Sequence, residues 1–425
     1  RLVMQIVKKP LRYIERLCRN TVALVLAGGR GTRLQGLTRL RAKPATSYAG
    51  KYRIIDFTLS NCMNSGIRRV GVAAQYEAVT LASHIQRSWG HLRSEMGEWV
   101  GLLPARQQRQ TDDWYLGTAD AVYQNLAVLE ELDPDYLLIL AGDHVYLMNY
   151  LPMLEQHAAT GADITVGGLE VPAEIADQFG VLTCGADGRV KSFVEKPANP
   201  LEHAGADGTL LASMGIYVFS RSTIREILAS DAADPASTRD FGKDVIPALI
   251  RNHHVGCYRF VDPATGHPGY WRDVGTVDAF FRGHMELVQP VPRINLYDPR
   301  WPVWSYAPHL PPAKLAPDAD GSGGLAQRSL LASGSIVTGG EVTASVLAYQ
   351  ARVDRSEVTA SVLLPGAHIE PGCRLNQAIV DEDVVLPAGT EIGYDLEADR
   401  ARFDVTDNGA VLVTRDRVDA LGSRD

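Results

Sequence analysis

The sequence predicts an α/β protein in which a doubly wound, mostly parallel sheet is followed by a parallel β-helix. Three observations carry this prediction. Uncharged apolar runs end abruptly at glycine or polar residues, which is typical of buried parallel strands. These runs alternate with helix-like segments as far as about residue 290. Farther along the chain, apolar residues recur six positions apart, a period that indicates one short strand on each face of a β-helix.

The first predicted strand leads into a glycine-rich loop that is suited to an anion. Residues 21–27 carry no charge and predict a buried strand. The strand ends at Gly28, Gly29, Arg30 and Gly31, where small residues let the backbone approach a phosphate and the arginine adds positive charge. The alternative is an ordinary tight turn. The loop has neither the Lys-Ser/Thr ending of a P-loop nor the third glycine of a dinucleotide-binding fingerprint.

Charged side chains near the ends of other predicted strands extend this picture. A dense basic patch follows the loop and includes Arg39, Arg41, Lys43, Lys51 and Arg53. In an acidic chain, so local a patch predicts contact with an anion, although a solvated surface run is the alternative. A second apolar strand ends at Asp143, and a distant segment carries Asp273 before a glycine turn. Two such carboxylates can meet on one Mg²⁺, whereas the alternative role for the first is to cap a helix.

The chain is predicted to divide into three parts. Residues 1–288 form the α/β domain, residues 289–325 a proline-rich linker, and residues 326–425 the β-helix. Within the linker, Trp301, Trp304 and Tyr306 predict that it packs against the domains. A β-sandwich with regular turns is the alternative for the last part, but its strands need repeats of about 8 to 12 residues.

Composition excludes several classes of protein. The net charge of −8 and pI of about 5.8 argue against a nucleic-acid partner. The five cysteines show no CxxC spacing, which favours reduced thiols in the cytoplasm over a disulfide framework or a zinc site. No run of 18 apolar residues predicts a membrane span, and the basic first 20 residues lack the apolar core of a signal peptide.

Nine segments taken together resemble the sugar-nucleotide pyrophosphorylases, a family of nucleotidyltransferases. They are residues 26–34, 41–45, 53–57, 59–61, 64–68, 141–144, 193–197, 213–217 and 270–275. Three of them, residues 41–45, 59–61 and 64–68, are similar to the branch of the family that uses ATP. The resemblance implies a Rossmann-like catalytic domain and a left-handed β-helix that serves regulation and oligomerisation.

The resemblance also implies a reaction, in which ATP and α-D-glucose 1-phosphate give ADP-glucose and pyrophosphate for glycogen synthesis, with Mg²⁺ as cofactor. The implied catalytic residues are Arg33, Lys43 and Asp143. The implied nucleotide contacts are Gly28, Gly29, Arg30, Thr32, Gln75, Gly117 and Thr118. The implied glucose 1-phosphate contacts are Tyr115, Gly180, Glu195, Lys196, Ser213, Tyr217 and Asp240. The implied metal ligands are Asp143 and Asp273.

By the same resemblance, the protein is expected to be a homotetramer regulated by anionic metabolites that bind at Arg41 and Arg53. Many relatives carry a lysine where this chain has Leu40, so the effector stays open between fructose 6-phosphate and pyruvate. Three other functions are alternatives: a pyrophosphorylase for another sugar nucleotide, a non-catalytic regulatory subunit, and a hexapeptide-repeat acyltransferase. The last needs a catalytic histidine in the coils, where only His368 lies.

Overall fold

The computed structural model describes residues 11–29, 31–75, 78–105, 115–205 and 207–422. The strands of the N-terminal domain are β1 Thr21–Leu26, β2 Ser47–Tyr48, β3 Tyr52–Arg53, β4 Arg69–Ala74, β5 Trp99–Pro104, β6 Tyr136–Ala141, β7 His144–Tyr146, β8 Ile164–Pro172, β9 Gly180–Cys184, β10 Val190–Glu195, β11 Thr209–Ser220, β12 Val255–Arg259 and β13 Trp271–Asp273. The helices are α1 Leu11–Arg19, α2 Ile54–Asn64, α3 Ala78–Trp89, α4 Thr118–Glu130, α5 Leu151–Thr160, α6 Arg221–Ala233, α7 Ile246–Leu249 and α8 Val277–Leu287.

Among the described residues, the central sheet has nine strands in the order β10-β9-β11-β6-β1-β4-β5, with β8 beside β11 and β12 beside β8. Strands β6, β1, β4 and β5 are parallel. Strand β11 is antiparallel to β6, β8 and β9, and β12 is parallel to β8. All strands except β10 and β11 therefore point the same way, which confirms the mostly parallel sheet.

Helices cover both faces of the centre of this sheet, which explains why central strands such as β1 and β6 are apolar runs. In β1, Val22 and Leu24 face the core formed with α4 and α6. Ala23 and Val25 face the other core, formed with α1, α2, α3 and α5. All four side chains are fully buried. Because successive side chains of a strand point to opposite faces, a strand covered on both sides needs apolar residues at every position.

One stretch has a helical pattern in its sequence but forms a strand over part of its length. The polar stretch from residue 83 to residue 113 has helical periodicity, yet the structure ends α3 at Trp89 and forms the edge strand β5. The strand is an apolar run, WVGLLP, but it lies inside a polar stretch, is only half-buried and pairs with β4 alone in the described residues. Residues 106–114 lie outside the described part of the chain.

The C-terminal domain is a parallel β-helix with three faces. Its strands are β14 Lys314–Ala316, β15 Leu325–Gln327, β16 Leu330–Leu331, β17 Ile336–Thr338, β18 Glu341–Thr343, β19 Val346–Leu347, β20 Arg352–Asp354, β21 Glu357–Thr359, β22 Val362–Leu363, β23 His368–Ile369, β24 Arg374–Asn376, β25 Ala378–Val380, β26 Val385–Leu386, β27 Glu391–Ile392, β28 Asp404–Val405 and β29 Val411–Val413. The domain also contains two helices, α9 Leu396–Arg400 after β27 and α10 Arg415–Gly422 after β29.

Strands from successive coils stack in parallel register and fill the interior with aliphatic side chains. Val337 lies beside Val353, and Val353 beside Ile369. The six-residue pattern in the sequence was counted from Ile336 as an inward-facing position. In the structure Ile336 is only half-buried, and its neighbour Val337 points inward instead. The first strand of the β-helix, β14, lies within the segment predicted as linker.

The two domains share an apolar junction. A single cluster of buried side chains joins Leu34, Ile54 and Phe280 of the first domain to Val346 and Leu412 of the β-helix. The intervening segment is tied to α2, since Trp304 N–H donates to Ser60 Oγ and Trp301 Nε1 donates to Asn61 Oδ1. In the described residues, no helix has the length and apolar character needed to cross a membrane.

Candidate active site

A cavity of about 620 Å³ opens at the carboxyl ends of the parallel strands β1, β4 and β6. Ligands of open α/β sheets bind at this edge, because the connections to the flanking helices leave a crevice there. The cavity is lined by Leu26, Ala27, Gly28, Gly29, Gly31, Thr32, Arg33, Lys43, Pro44, Ala73, Gln75, Tyr115, Gly117, Thr118, Ala121, Ala141, Asp143, Glu195, Gly215, Tyr217, Asp240, Phe241, Gly242 and Gly275. Most residues predicted for the site therefore meet around one space.

The glycine loop forms one wall of this cavity. Gly31 has a φ of +65°, and a Cβ at this position would lie 3.0 Å from Thr38 Cγ2 and 3.1 Å from Lys43 Cβ. Only glycine fits this close, left-handed turn, which leads into the 3₁₀ helix Thr32–Thr38. Arg33 follows with its side chain 59% exposed, and its Nη2 lies 3.6 Å from Asp273 Oδ2, so its guanidinium adds positive charge at the rim of the cavity. Arg30 lies outside the described residues.

A buried lysine between two carboxylates lies next to this wall. Lys43 Nζ is 2.9 Å from Asp143 Oδ2 and 2.7 Å from Asp273 Oδ1. Burial by itself would lower the pKa of Lys43, but the two carboxylates raise it by more, so the net shift is upward. For the two aspartates burial acts in the other direction and raises the pKa. The neighbouring ammonium lowers it by more, so both pKa values lie below the ordinary range. All three groups therefore stay ionised near neutral pH.

Strand pairing explains why two distant acids meet. Strand β13 runs antiparallel to β7, and this register places Asp273 directly opposite His144. Asp143 immediately precedes β7, so both carboxylates reach the same point. Asp273 does not line the main cavity but borders it through Lys43 and through Gly275, whose hypothetical Cβ would lie 2.7 Å from Asp273 Oδ1.

The same residues fit a divalent cation. Asp143, His144 and Asp273 each offer a ligand atom, and these atoms lie within 4.8 Å of one another. Carboxylate oxygens suit a hard cation, and the ammonium of Lys43 already holds positive charge between them. Sequence reasoning did not select His144, although it directly follows the predicted ligand Asp143.

A second wall of the cavity carries the residues expected to contact a sugar phosphate. Tyr115, Glu195, Tyr217 and Asp240 all line the cavity. Burial raises the pKa of Glu195, and the carboxylate of Asp240 adds to this effect, while Lys196 lowers it.

Three further predicted residues support this wall without lining the cavity. Gly180 pairs with Glu195 across β9 and β10, and a Cβ on it would lie 2.8 Å from Glu195 Oε2. Lys196 has a φ of +48°, and its Nζ lies 3.7 Å from Glu195 Oε1 with the side chain 58% exposed. Ser213 is buried and accepts a hydrogen bond from the Gly215 N–H at 3.4 Å.

The two arginines expected to bind an effector lie elsewhere, at the junction of the domains. Arg41 Nη1 is 2.9 Å from Asp381 Oδ1 and 3.2 Å from Glu382 Oε1. Arg53 Nη1 lies 3.5 Å from the same oxygen of Glu382. Both arginines are thus paired with acids of the β-helix, which sequence reasoning did not foresee. Arg53, but not Arg41, also lines a second cavity of about 250 Å³ between the domains.

The fold and this site define the class of the protein. The family described as "Nucleotidyl transferase" matches residues 22–289, and the family described as "GlmU-like, C-terminal hexapeptide" matches residues 311–413. Together they account for the α/β domain and the β-helix. Nucleotidyltransferases of this kind generally use a divalent metal, in agreement with the acidic pair beside the cavity.

Curated relatives identify the particular family. The chain is 53% identical over 406 residues to glucose-1-phosphate adenylyltransferase 2 of Alkalilimnicola ehrlichii, covering 95% of this chain and 96% of that protein. It is 49% identical to glucose-1-phosphate adenylyltransferase of Teredinibacter turnerae, covering 96% and 98%, and 50% identical to that of Hydrogenovibrio crunogenus, covering 96% of each. The chain therefore belongs to the glucose-1-phosphate adenylyltransferase family.

Proposed function

We propose that the protein transfers the adenylyl group of ATP to α-D-glucose 1-phosphate, releasing pyrophosphate and forming ADP-glucose. The observation that carries the proposal is that Lys43 and Asp143 line the same cavity as the glycine loop, Glu195 and Asp240, and that Lys43 pairs with both Asp143 and Asp273. A nucleoside triphosphate on the loop and a sugar phosphate on the second wall would meet at this cluster. The names of the full-length relatives support ATP and glucose 1-phosphate as the substrates.

The proposed nucleotide contacts are Gly28, Gly29, Arg30, Thr32, Gln75, Gly117 and Thr118, and all of them line the cavity except Arg30, which lies outside the described residues. The proposed sugar-phosphate contacts are Tyr115, Gly180, Glu195, Lys196, Ser213, Tyr217 and Asp240. Asp143 and Asp273 would hold Mg²⁺, which when bound supplies positive charge toward the triphosphate.

The chemistry requires positioning more than proton transfer. The attacking phosphate oxygen of glucose 1-phosphate is already ionised at neutral pH, so no general base is needed. The difficulty is to bring two anions together in line, and here Arg33, Lys43 and Lys196 reduce their repulsion. Lys43 is buried and fixed by two carboxylates, so its charge needs no rearrangement during the reaction.

We further propose that the protein acts in the cytoplasm in glycogen synthesis, as a homotetramer regulated by anionic metabolites. The proposed effector region is the junction between the domains around Arg41 and Arg53. Its support is the cavity between the domains, which Lys51, Arg53 and Arg87 line together. Three positive side chains around one small space suit a phosphorylated sugar or a carboxylate.

The test is a pyrophosphate-release assay with glucose 1-phosphate and each of ATP, UTP, GTP and dTTP. We expect the highest kcat/KM with ATP, and an increase on adding fructose 6-phosphate or pyruvate. A higher kcat/KM with another nucleotide would identify a different sugar-nucleotide pyrophosphorylase. Release of no pyrophosphate from any pair would favour the regulatory subunit.

A further inference from the structure

We propose that the ion pair between the buried carboxylate of Asp120 and the guanidinium of Arg239 is a positioning device that fixes both substrate sites relative to each other. Neither residue lines the cavity, but each adjoins residues that do. The inference rests on the proposed substrate sites. It adds two residues to which neither the sequence motifs nor the family resemblance assigned a role.

Asp120 gathers three donors in the first turn of α4. Its side chain is 1% exposed. One carboxylate oxygen accepts hydrogen bonds from the Leu116 N–H at 3.0 Å and from Gln124 Nε2 at 2.7 Å. The other oxygen accepts from Arg239 Nη1 at 2.8 Å. A buried carboxylate with a charged donor and two neutral ones has strict geometric demands, so it holds the segment before α4 in place.

Arg239 carries the second half of the contact through its backbone. Its φ is +58°, a left-handed conformation that a non-glycine residue keeps only when its surroundings impose it. Its carbonyl oxygen accepts from the Ala119 N–H at 2.9 Å. At Gly117 a Cβ would lie 2.2 Å from that same oxygen, so the two loops touch without room for a side chain.

The two loops held together in this way belong to different substrate sites. Thr118, in the proposed nucleotide site, donates from Oγ1 to Asp240 Oδ2 at 3.2 Å and accepts from the Phe241 N–H at 3.0 Å. Asp240, in the proposed sugar-phosphate site, directly follows Arg239 and accepts at Oδ1 from the N–H groups of Gly242 and Lys243. A shift of Arg239 therefore moves the contacts of both substrates together.

A second ion pair between the same two regions provides a matched control. Arg225 of α6 pairs with Glu130 of α4 at the surface, where the arginine is 63% exposed. It joins α4, which carries Asp120, to α6, which precedes Arg239, and neither Arg225 nor Glu130 lines the cavity. Loss of this pair should leave the substrate sites intact, because exposed ion pairs contribute little.

The experiment compares wild-type protein with Asp120→Asn, Arg239→Gln, the double variant and Arg225→Gln, in the pyrophosphate-release assay and by calorimetric titration with ATP. We expect both single variants to raise the KM for ATP and for glucose 1-phosphate by about 10- to 100-fold. The KM values of the double variant should not exceed those of the more impaired single variant, because the two residues act as a unit. Arg225→Gln should stay within about twofold of the wild type.

Thermal unfolding separates positioning from folding, and Arg239→Lys serves as a milder variant where Arg239→Gln proves unstable. Unchanged KM values and ATP affinity in folded variants, or equal losses in Arg225→Gln, would overturn the inference. So would a rise in one KM alone. The wild-type activity tests the proposed function separately, and the ATP titration still reads out the positioning role if the wild type releases no pyrophosphate.

Discussion

The surroundings of His284 predict a loss of stability in acid, because their hydrogen bonds fit only the neutral imidazole. The side chain is fully buried in α8. Its Nε2 lies 3.0 Å from the Ala49 N–H, which can only donate, so Nε2 is the acceptor. The proton therefore sits on Nδ1 and is donated to the Phe280 carbonyl oxygen at 2.9 Å. A second proton on Nε2 would face the amide hydrogen of Ala49.

The size of the effect follows from the pKa of His284. Burial lowers it from 6.5 to about 4, and the hydrogen bond to Phe280 opposes this only in part. Between these two values the unfolded chain binds a proton that the folded protein does not, so the free energy of unfolding falls as the pH falls. At 1.36 kcal/mol for each pKa unit, the loss from this one residue is about 3 kcal/mol. The contribution is complete above pH 6.5 and is lost as the pH approaches 4.

Urea unfolding followed by far-ultraviolet circular dichroism at a series of pH values between about 7.5 and 4 tests this prediction. His284→Gln removes the titrating group, so the variant is less stable than the wild type at neutral pH, but the difference shrinks by about 3 kcal/mol on acidification. The exposed His267 provides the control, since His267→Gln should follow the wild type at every pH. Equal acid losses in His284→Gln and wild type would refute the reasoning.

Three further predictions concern the proposed active site and the contact between the domains. Asp143→Asn should keep the fold but lower turnover by about 100- to 1,000-fold, since one proposed metal carboxylate is lost; near-normal pyrophosphate release by folded protein would contradict this. Lys43→Met leaves two carboxylates facing each other without a buried counter-charge, so the free energy of unfolding should fall by about 3–5 kcal/mol in EDTA and recover in part with Mg²⁺. Urea unfolding in both buffers measures the difference, and an equal loss with and without Mg²⁺ would argue against a shared cation position. Glu382→Gln removes the acid that faces both interdomain arginines, so the free energy of unfolding should fall by about 1–3 kcal/mol; a change below about 0.5 kcal/mol would mean that the pairing contributes nothing measurable.

The elements that could be predicted from the sequence are those specified by neighbouring residues. Strand β1 is recognisable because a strand buried on both faces needs an unbroken apolar run, and the loop after it because a left-handed turn at Gly31 needs glycine. The β-helix can be predicted from its sequence repeat, because each coil must bury one side chain at every face. Strand β5 was not predicted, although WVGLLP is an apolar run, because these six residues contain Gly101, end at Pro104 and lie inside a polar stretch with helical periodicity.

The glycine loop and the two acids were predicted from local motifs and most other site residues from the family resemblance, but the arrangement of these residues depends on the tertiary structure. Lys43 lies 100 positions from Asp143 and 230 from Asp273, and nothing in the sequence says that one ammonium lies between both. The pairing of β7 with β13 decides this. Arg41 was likewise predicted from the sequence to contact an anionic effector, yet it pairs with Asp381 of the β-helix, 340 positions later in the chain.

What the sequence by itself determined is thus the type of each element and the chemistry available at each strand end, because periodicity and backbone conformation depend on neighbours in the chain. What only the tertiary structure decided is which charges neutralise one another. An ion pair depends on distance in space, and strand register and domain contact bring together residues that the chain keeps far apart.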